Sequence, residues 1–394
     1  MLMSRRLFLG AAAESALGLG AGAQEGRKLR ACVIGDTQHG GYGHSLHLVW
    51  GYRDDIEVVA LADPDEAGRA KNAAQAKTMR QYADWREMLE TEKPDLVAVG
   101  PRWTTRHREY VLAAAEIGVH GLLEKPLATD LAEADEMVAA VEKKRLAWGI
   151  AFNFRVTPVV EHVRRMVMEE GLIGDVLELR GRGKEDHRAG GEDLLVLGVH
   201  IFDAMRYFLG DAAWCTADIT VDGRPAAPGD VKEATEPLGP IVGDRINAMF
   251  GFGKGITGYF ATTRNPDGNG GRWGLDIHGS KGVVTLRMND AVVAGLLDSP
   301  AWAPKGVAPK GAPLEWEPVP GCPEDTLTPK PEMRYSPIID DMLVAVREGR
   351  RPSVSLHDGR QAQEMVQAVY ESYVQDQRVA LPLAERAHPL KRWS

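Results

Sequence analysis

The stretch that decides the fold is "VIGDTQHGGYGHS", Val33 to Ser45, which closes the apolar run "LRACVIG". A glycine-rich turn directly after a short apolar strand is where a parallel α/β sheet presents main-chain amides to a phosphate. The G-x-G-x-x-G spacing does not fit here. Gly35 and Gly40 stand in place, but Thr37 occupies the position of the second glycine. The stretch reads instead as a lengthened loop in which Gly40 and Gly41 make the turn and Gly43 opens the next element. The Leu46, Val49 and Trp50 spacing predicts a helix there. Asp63 closes the second apolar run, "IEVVALAD", and falls 20 residues after Gly43, close to the usual ~20-residue offset of a ribose-binding carboxylate. A carboxylate in that place favours NAD over NADP, because a 2′-phosphate would be repelled. Arg69, a few residues on, keeps NADP as the alternative.

Working outward, apolar runs and amphipathic segments alternate through "DLVAVG", "RHREYVLAAAEIG", "HGLLEKP", "DLAEADEMVAAVEKKR" and "LAWGIAF". This order predicts a doubly wound parallel sheet, a Rossmann-type α/β domain over residues 29–150, with ligands at the carboxyl ends of the strands. Arg102 and Trp103 end one such strand and are candidate cofactor contacts, with a core aromatic as the bland alternative for Trp103. Further on, "RINAMFGFG", "GITGYFATTR", "WGLDIHGS" and "GVVTLRM" read as consecutive strands, and the Ile338, Met342, Val346 spacing as an amphipathic helix.

The chain has 394 residues, is 44% hydrophobic and carries a net charge of −9. That length supports two cores, and that charge argues against a nucleic-acid binder. Ser4-Arg5-Arg6-Leu7-Phe8-Leu9 followed by an Ala/Gly/Leu stretch and Ala21-Gly22-Ala23 reads as a twin-arginine export signal over residues 1–23, although Glu14 interrupts the apolar stretch. A disordered basic N-terminus is the alternative. No later stretch reaches the ~18 apolar residues of a membrane span. Cys32, Cys215 and Cys322 have no metal-type spacing and are read as structural, and no metal site is expected.

The run "VAVGPRWTTRHREYVLAAAEIGVHGLLEKPLA" resembles the glucose–fructose oxidoreductase/inositol dehydrogenase/MocA family. The likeness continues in "FNFRVTPVVEHVRRMVMEEGLIGDVLELR", in "GGEDLLVLGVHIFDAMRYFLG" and in the segment from Ile338 to Leu383; residues around 215–240 and 290–333 match none of it. The resemblance implies a second, C-terminal α+β domain over 151–385, built on a large, open, mainly antiparallel sheet that binds substrate and makes a homo-oligomer, a dimer or tetramer. It also implies catalytic roles for Lys125 of the Glu-Lys-Pro motif and for His200 of the Gly-x-His-x-x-Asp segment. Asp203 lies one helical step beyond His200, placed to orient the imidazole or to bond elsewhere. Glu124 is expected to support the loop. Asn153 and Arg155 match the family's Asn-x-Arg element at the domain junction, a place for nicotinamide or substrate contacts, with an interdomain ion pair as the other reading of Arg155.

One position departs from the pattern. Many family dehydrogenases carry an aspartate four residues before the histidine, and here that place is Val196. The neighbouring "GKEDHRAGGED" offers replacements: Lys184, Glu185, Asp186, Arg188, Glu192, Asp193 and, first among them for substrate contact, His187. Arg264, Arg272 and Trp273 are further, unranked candidates. The expected activity is hydride transfer between a secondary hydroxyl of a sugar, glycoside or polyol and a nicotinamide that stays bound during export. A redox-neutral glycosidase or lyase working through transient oxidation is the alternative, and a non-catalytic binding scaffold the third.

Overall fold

The computed structural model describes residues 27–264, 270–303 and 315–393; the export-signal reading over 1–23 lies outside them. Six strands form the first sheet: β1 (Leu29–Ile34), β2 (Ile56–Ala62), β3 (Arg80–Tyr82), β4 (Leu96–Val99), β5 (His120–Leu123) and β6 (Trp148–Ile150). Their order is β3-β2-β1-β4-β5-β6 and every pairing is parallel. The chain reverses direction across the sheet between β1 and β4, and that switch point is where such a sheet opens a ligand crevice. All four residues of β4 are buried, as a strand covered on both faces requires. The edge strand β3 lies outside the apolar runs read above.

Helices α1 (Glu66–Gln75), α2 (Trp85–Glu92), α3 (His107–Glu116) and α4 (Leu131–Lys143) connect these strands. Three start on an aspartate whose carboxylate accepts first-turn amides: Asp65 from Gly68, Asp84 from Arg86 and Glu87, and Asp130 from Glu133.

The helix expected after β1 is not formed. Leu46, Val49 and Trp50 are buried as their spacing requires, but only Leu46–Leu48 makes a single 3₁₀ turn. Gly40, Gly41, Gly43 and Ser45 have φ of 94°, 65°, 55° and 69°, and four left-handed residues in six positions stop a right-handed helix from nucleating.

The second sheet has ten strands among the described residues. At its centre β7 (Val176–Arg182) pairs antiparallel with Gly274–Gly279 and parallel with Thr257–Thr263. The four strands expected from the sequence are all present. The stretches left unplaced contribute β8 (Trp214–Val221) and Val292–Leu297 to the same sheet. After α5 (Pro158–Met168), two helices follow β7: α6 (Gly191–Val196) and α7 (Gly198–Leu209). Helix α7 lies so close on β7 that a Cβ at Gly181 would stand 2.3 Å from Ile201 and 2.9 Å from Met205. The expected amphipathic helix is α8 (Ser336–Glu348), with Ile338 and Met342 fully inside, and α9 (Leu356–Val374) follows it. The cysteines are free, with Cys32 and Cys215 buried and Cys322 partly so. Among the described residues no helix is long and apolar enough to cross a membrane.

Candidate active site

Three of the four glycines of the opening loop answer a particular neighbour. A Cβ at Gly35 would stand 2.2 Å from the ring of Tyr42, and one at Gly40 2.5 Å from the main-chain nitrogen of Arg102. At Gly43 it would fall 2.5 Å from Oε1 of Glu124. Gly41 faces space with no protein atom within 4 Å of that position. The loop is therefore pressed against the ends of β4 and β5 with one open face.

Close packing at Gly43 brings His44 onto Glu124, which accepts from the His44 amide at 3.0 Å and pairs with its imidazole Nδ1. The other carboxylate oxygen accepts from the Lys125 amide at 2.6 Å. Burial alone would raise the Glu124 carboxyl, but the His44 and Lys125 charges and these hydrogen bonds outweigh it and hold it at about 2. Glu124 thus supports the loop that carries Lys125.

Lys125 is 3% exposed and donates from Nζ to the carbonyl of Val196 at 3.2 Å. That carbonyl is free for it because the helix breaks: the His200 amide bonds to Leu197 at 3.2 Å instead of reaching back to Val196. The position that lacks a carboxylate so supplies a main-chain acceptor. Burial pushes the Lys125 ammonium down to about 8, with Arg188 and Arg102 adding to the effect against Glu124 and Glu236. His200 is 4% exposed, and burial, then the charges of Lys125 and His44, push it well below the ordinary histidine range, so its imidazole is neutral at pH 7. Its Nδ1 is buried without a hydrogen-bond partner.

Lys125, His200, Asn153, Arg102, His44 and Trp273 line one cavity of about 460 Å³, enough for a monosaccharide beside a nicotinamide ring. Phe152 and Trp273 stand edge-on to the His200 ring at 5.7 and 6.1 Å and form its apolar walls. Glu236, Arg334 and Tyr335 also line it. Sequence reasoning passed over these three and His44. Only His44 carried a signal, as a histidine in the loop at the carboxyl end of β1.

Several expected roles are redirected. Asp203 does not orient His200: its carboxylate lies 3.2 Å from Arg155, which also reaches Asp358 at 3.1 Å and the Ser353 carbonyl at 2.6 Å. Arg155 is therefore spent on a buried ion-pair network outside the cavity lining, while Asn153 beside it lines the cavity. His187 points away, with 79% of its side chain exposed, and its neighbours Lys184 and Arg188 line the cavity instead. Glu185 and Asp193 anchor the loop from within, accepting from the Thr263 amide and the Thr262 hydroxyl. Trp103 lies outside the lining, edge-on to His39 at 5.1 Å. Arg264 reaches the Ala189 carbonyl and Arg272 pairs with Glu185.

Asp63 is also engaged. It is fully buried and accepts from the Thr37 hydroxyl at 2.6 Å, from the Thr37 amide at 3.2 Å and from the Asp65 amide at 2.9 Å. A ribose hydroxyl reaching this carboxylate would have to displace Thr37. Arg69 donates to the Asp63 main-chain carbonyl at 2.6 Å. At the other end of the crevice the residues fit a nicotinamide: unpartnered buried nitrogens of His200 and Arg102 give it hydrogen-bonding groups.

Residues 29–152 match the model of an oxidoreductase family with an NAD-binding Rossmann fold, and residues 178–381 match that family's C-terminal alpha/beta domain. The chain belongs to the GFO/IDH/MocA oxidoreductase family. Its N-terminal module is the family's NAD-binding domain. Levoglucosan dehydrogenase of Pseudarthrobacter phenanthrenivorans is 30% identical over 58% of this chain and 64% of that protein. D-Apiose dehydrogenase of Paraburkholderia graminis is 34% identical over 43% of this chain and 48% of its own. The match thus spans about half to just under two thirds of these curated GFO/IDH/MocA relatives. A solved levoglucosan dehydrogenase in complex with NADH superposes with a TM-score of 0.69 at 23% identity, covering 90% of this chain and all of that one, a likeness of fold.

Proposed function

We propose that the protein oxidises a secondary hydroxyl of a sugar, glycoside or polyol with NAD as the hydride acceptor. The observation that carries this reading is the convergence of Lys125 and neutral His200 on one cavity at the carboxyl ends of the parallel strands. NAD, when bound, takes the hydride from the carbon that bears the hydroxyl. The hydroxyl proton must leave at the same time, and Lys125 Nζ is the group placed to take it, since at about 8 a fraction of it is neutral near physiological pH. The Val196 carbonyl fixes the direction of Nζ, and His200 offers an imidazole nitrogen to the same oxygen. Phe152 and Trp273 keep water from the reacting face. The family context and the sugar-dehydrogenase relatives support the same substrate class.

The test is nicotinamide reduction, followed by absorbance, across a panel of sugars and glycosides. Lys125→Met is expected to lower kcat by about 10²- to 10⁴-fold, the range of a lost general base, and His200→Ala to lower kcat/KM as well. Unchanged turnover in both variants overturns the assignment. The absence of a carboxylate at Val196 favours one second reading, oxidation followed by elimination and return of the hydride. Release of an aglycone without net NADH from the same panel would identify it. Export with NAD already bound forms part of the proposal; NAD in protein purified from the periplasm, with Gln24 as its first residue, is the expected result.

A further inference from the structure

The charge of the cavity does not suit a neutral sugar. The whole chain is acidic at −9, yet the lining brings together Arg102, Lys125, Lys184, Arg188 and Arg334 against only Glu236 and Asp290. Two of these cations have acids of their own. Arg188 makes paired contacts to Asp186 at 2.6 and 3.1 Å, and Arg102 lies 3.2 Å from Glu236. The others are not neutralised in that way. Arg334 gives Nε and Nη2 to the Thr328 carbonyl at 3.1 and 2.9 Å, and no carboxylate pairs with it among the described residues. A carbonyl orients a guanidinium but leaves its charge uncancelled. Lys184 is 4.0 Å from an Asp186 already committed to Arg188, and its ammonium sits 5.7 Å from the centre of the Trp273 ring. Trp273 presents a buried Nε1–H with no acceptor.

A cleft lined by surplus cation gathers anions from solution. Since Lys125 serves the reacting hydroxyl, Arg334 and Lys184 remain for a second, permanent charge.

We infer that the substrate is an anionic sugar, one whose carboxylate or other oxyanion is held by Arg334 and Lys184 while Lys125 holds the reacting hydroxyl. This rests on the dehydrogenase reading above for the position of the reacting carbon. Direct binding tests it, by calorimetry on the full chain saturated with NADH. The ligands are matched pairs, D-glucuronate with D-glucose and D-galacturonate with D-galactose, together with methyl D-glucuronate ester and D-glucose 6-phosphate. At least one acid is expected to bind about 10- to 100-fold more tightly than its neutral partner, the range of a charge-assisted hydrogen bond. The ester should behave as the neutral sugar, and the preference should weaken as salt rises. Glucuronate against glucose 6-phosphate separates carboxylate from phosphate recognition. Arg334→Gln should abolish most of the preference, and Arg334→Lys, which keeps the charge, should retain much of it. Acids that bind no better than their neutral partners, no binding by any acid, or a full preference in Arg334→Gln overturns the inference. NADH formation from neutral and acidic sugars alike would leave the dehydrogenase reading standing without it. Acid-selective binding with no hydride transfer from any ligand would do the reverse.

Discussion

Lys125 works near neutral pH because burial strips its ammonium of water, an effect that outweighs the nearby Glu124 and Glu236 carboxylates. A base of this kind acts only when unprotonated, so its sign is fixed. Oxidation should rise tenfold per pH unit below about 8 and level off above it. Glu236 acts to keep the proton on Lys125, so Glu236→Gln should move the midpoint of the kcat/KM profile to lower pH. A midpoint that stays in place would mean that another group sets the profile. Asp63 makes a different case. Its offset from Gly43 placed it correctly at the end of β2, but spacing carries no sign of the Thr37 hydroxyl that closes over it. With its carboxylate enclosed and multiply bonded to the loop, Asp63→Ala should cost about 1.5–3 kcal/mol in the protein without cofactor, since hydrogen bonds to a charged group are lost. Denaturant melts with no NAD present read this directly. An unchanged melt would show that Asp63 does not hold the loop.

At the scale of elements, the loop from Gly35 to Ser45 and the α6–α7 break do for Lys125 what single residues cannot. The loop's left-handed glycines let it press on Glu124, and the break releases the Val196 carbonyl. Gly43→Ala tests the first. It imposes φ 55° on a residue with a Cβ, which costs about 1–2 kcal/mol, and sets that Cβ against Glu124. Lower stability is expected together with a kcat loss larger than the stability change explains, because Lys125 loses its support. Stability lost without any change in kcat would uncouple loop from lysine. The sequence made the strand–loop junctions legible, since apolar runs and Glu-Lys-Pro-type punctuation depend on near neighbours. It did not show that the burial face of Leu46, Val49 and Trp50 belongs to irregular turns, because periodicity records which side is inside and not whether the backbone is helical. Nor could Val196 reveal its carbonyl, since main-chain acceptors leave no trace in residue identity.

At the scale of the molecule, the two sheets were readable from alternation and order, whereas the cavity between them depends on residues far apart in the chain. Arg334 and Tyr335 come to it from the segment before α8, which no motif marks. Arg155 shows the same limit. It stands just after β6, and its partners Asp203 and Asp358 sit on α7 and α9, so one guanidinium ties the segment leaving the parallel sheet to two helices far along the chain. Removing it leaves Asp203 enclosed with no ion pair among the described residues, while Asp358 keeps Arg206 at 3.3 Å. Arg155→Met is therefore expected to cost about 3–5 kcal/mol, the range for breaking a buried ion pair by one partner. The pH dependence separates this electrostatic cost from lost packing. Burial already raises the Asp203 carboxyl to about 7 with Arg155 in place, and without the arginine it rises further. The folded variant then binds more protons than the parent, so its deficit against the parent protein should widen as pH rises through 7 and shrink as pH falls toward 4. Arg155→Met combined with Asp203→Asn should recover part of the loss at pH 7, since the enclosed carboxylate without a partner is gone. Equal deficits at pH 7 and pH 4, with no recovery in the double variant, would assign the junction to packing alone.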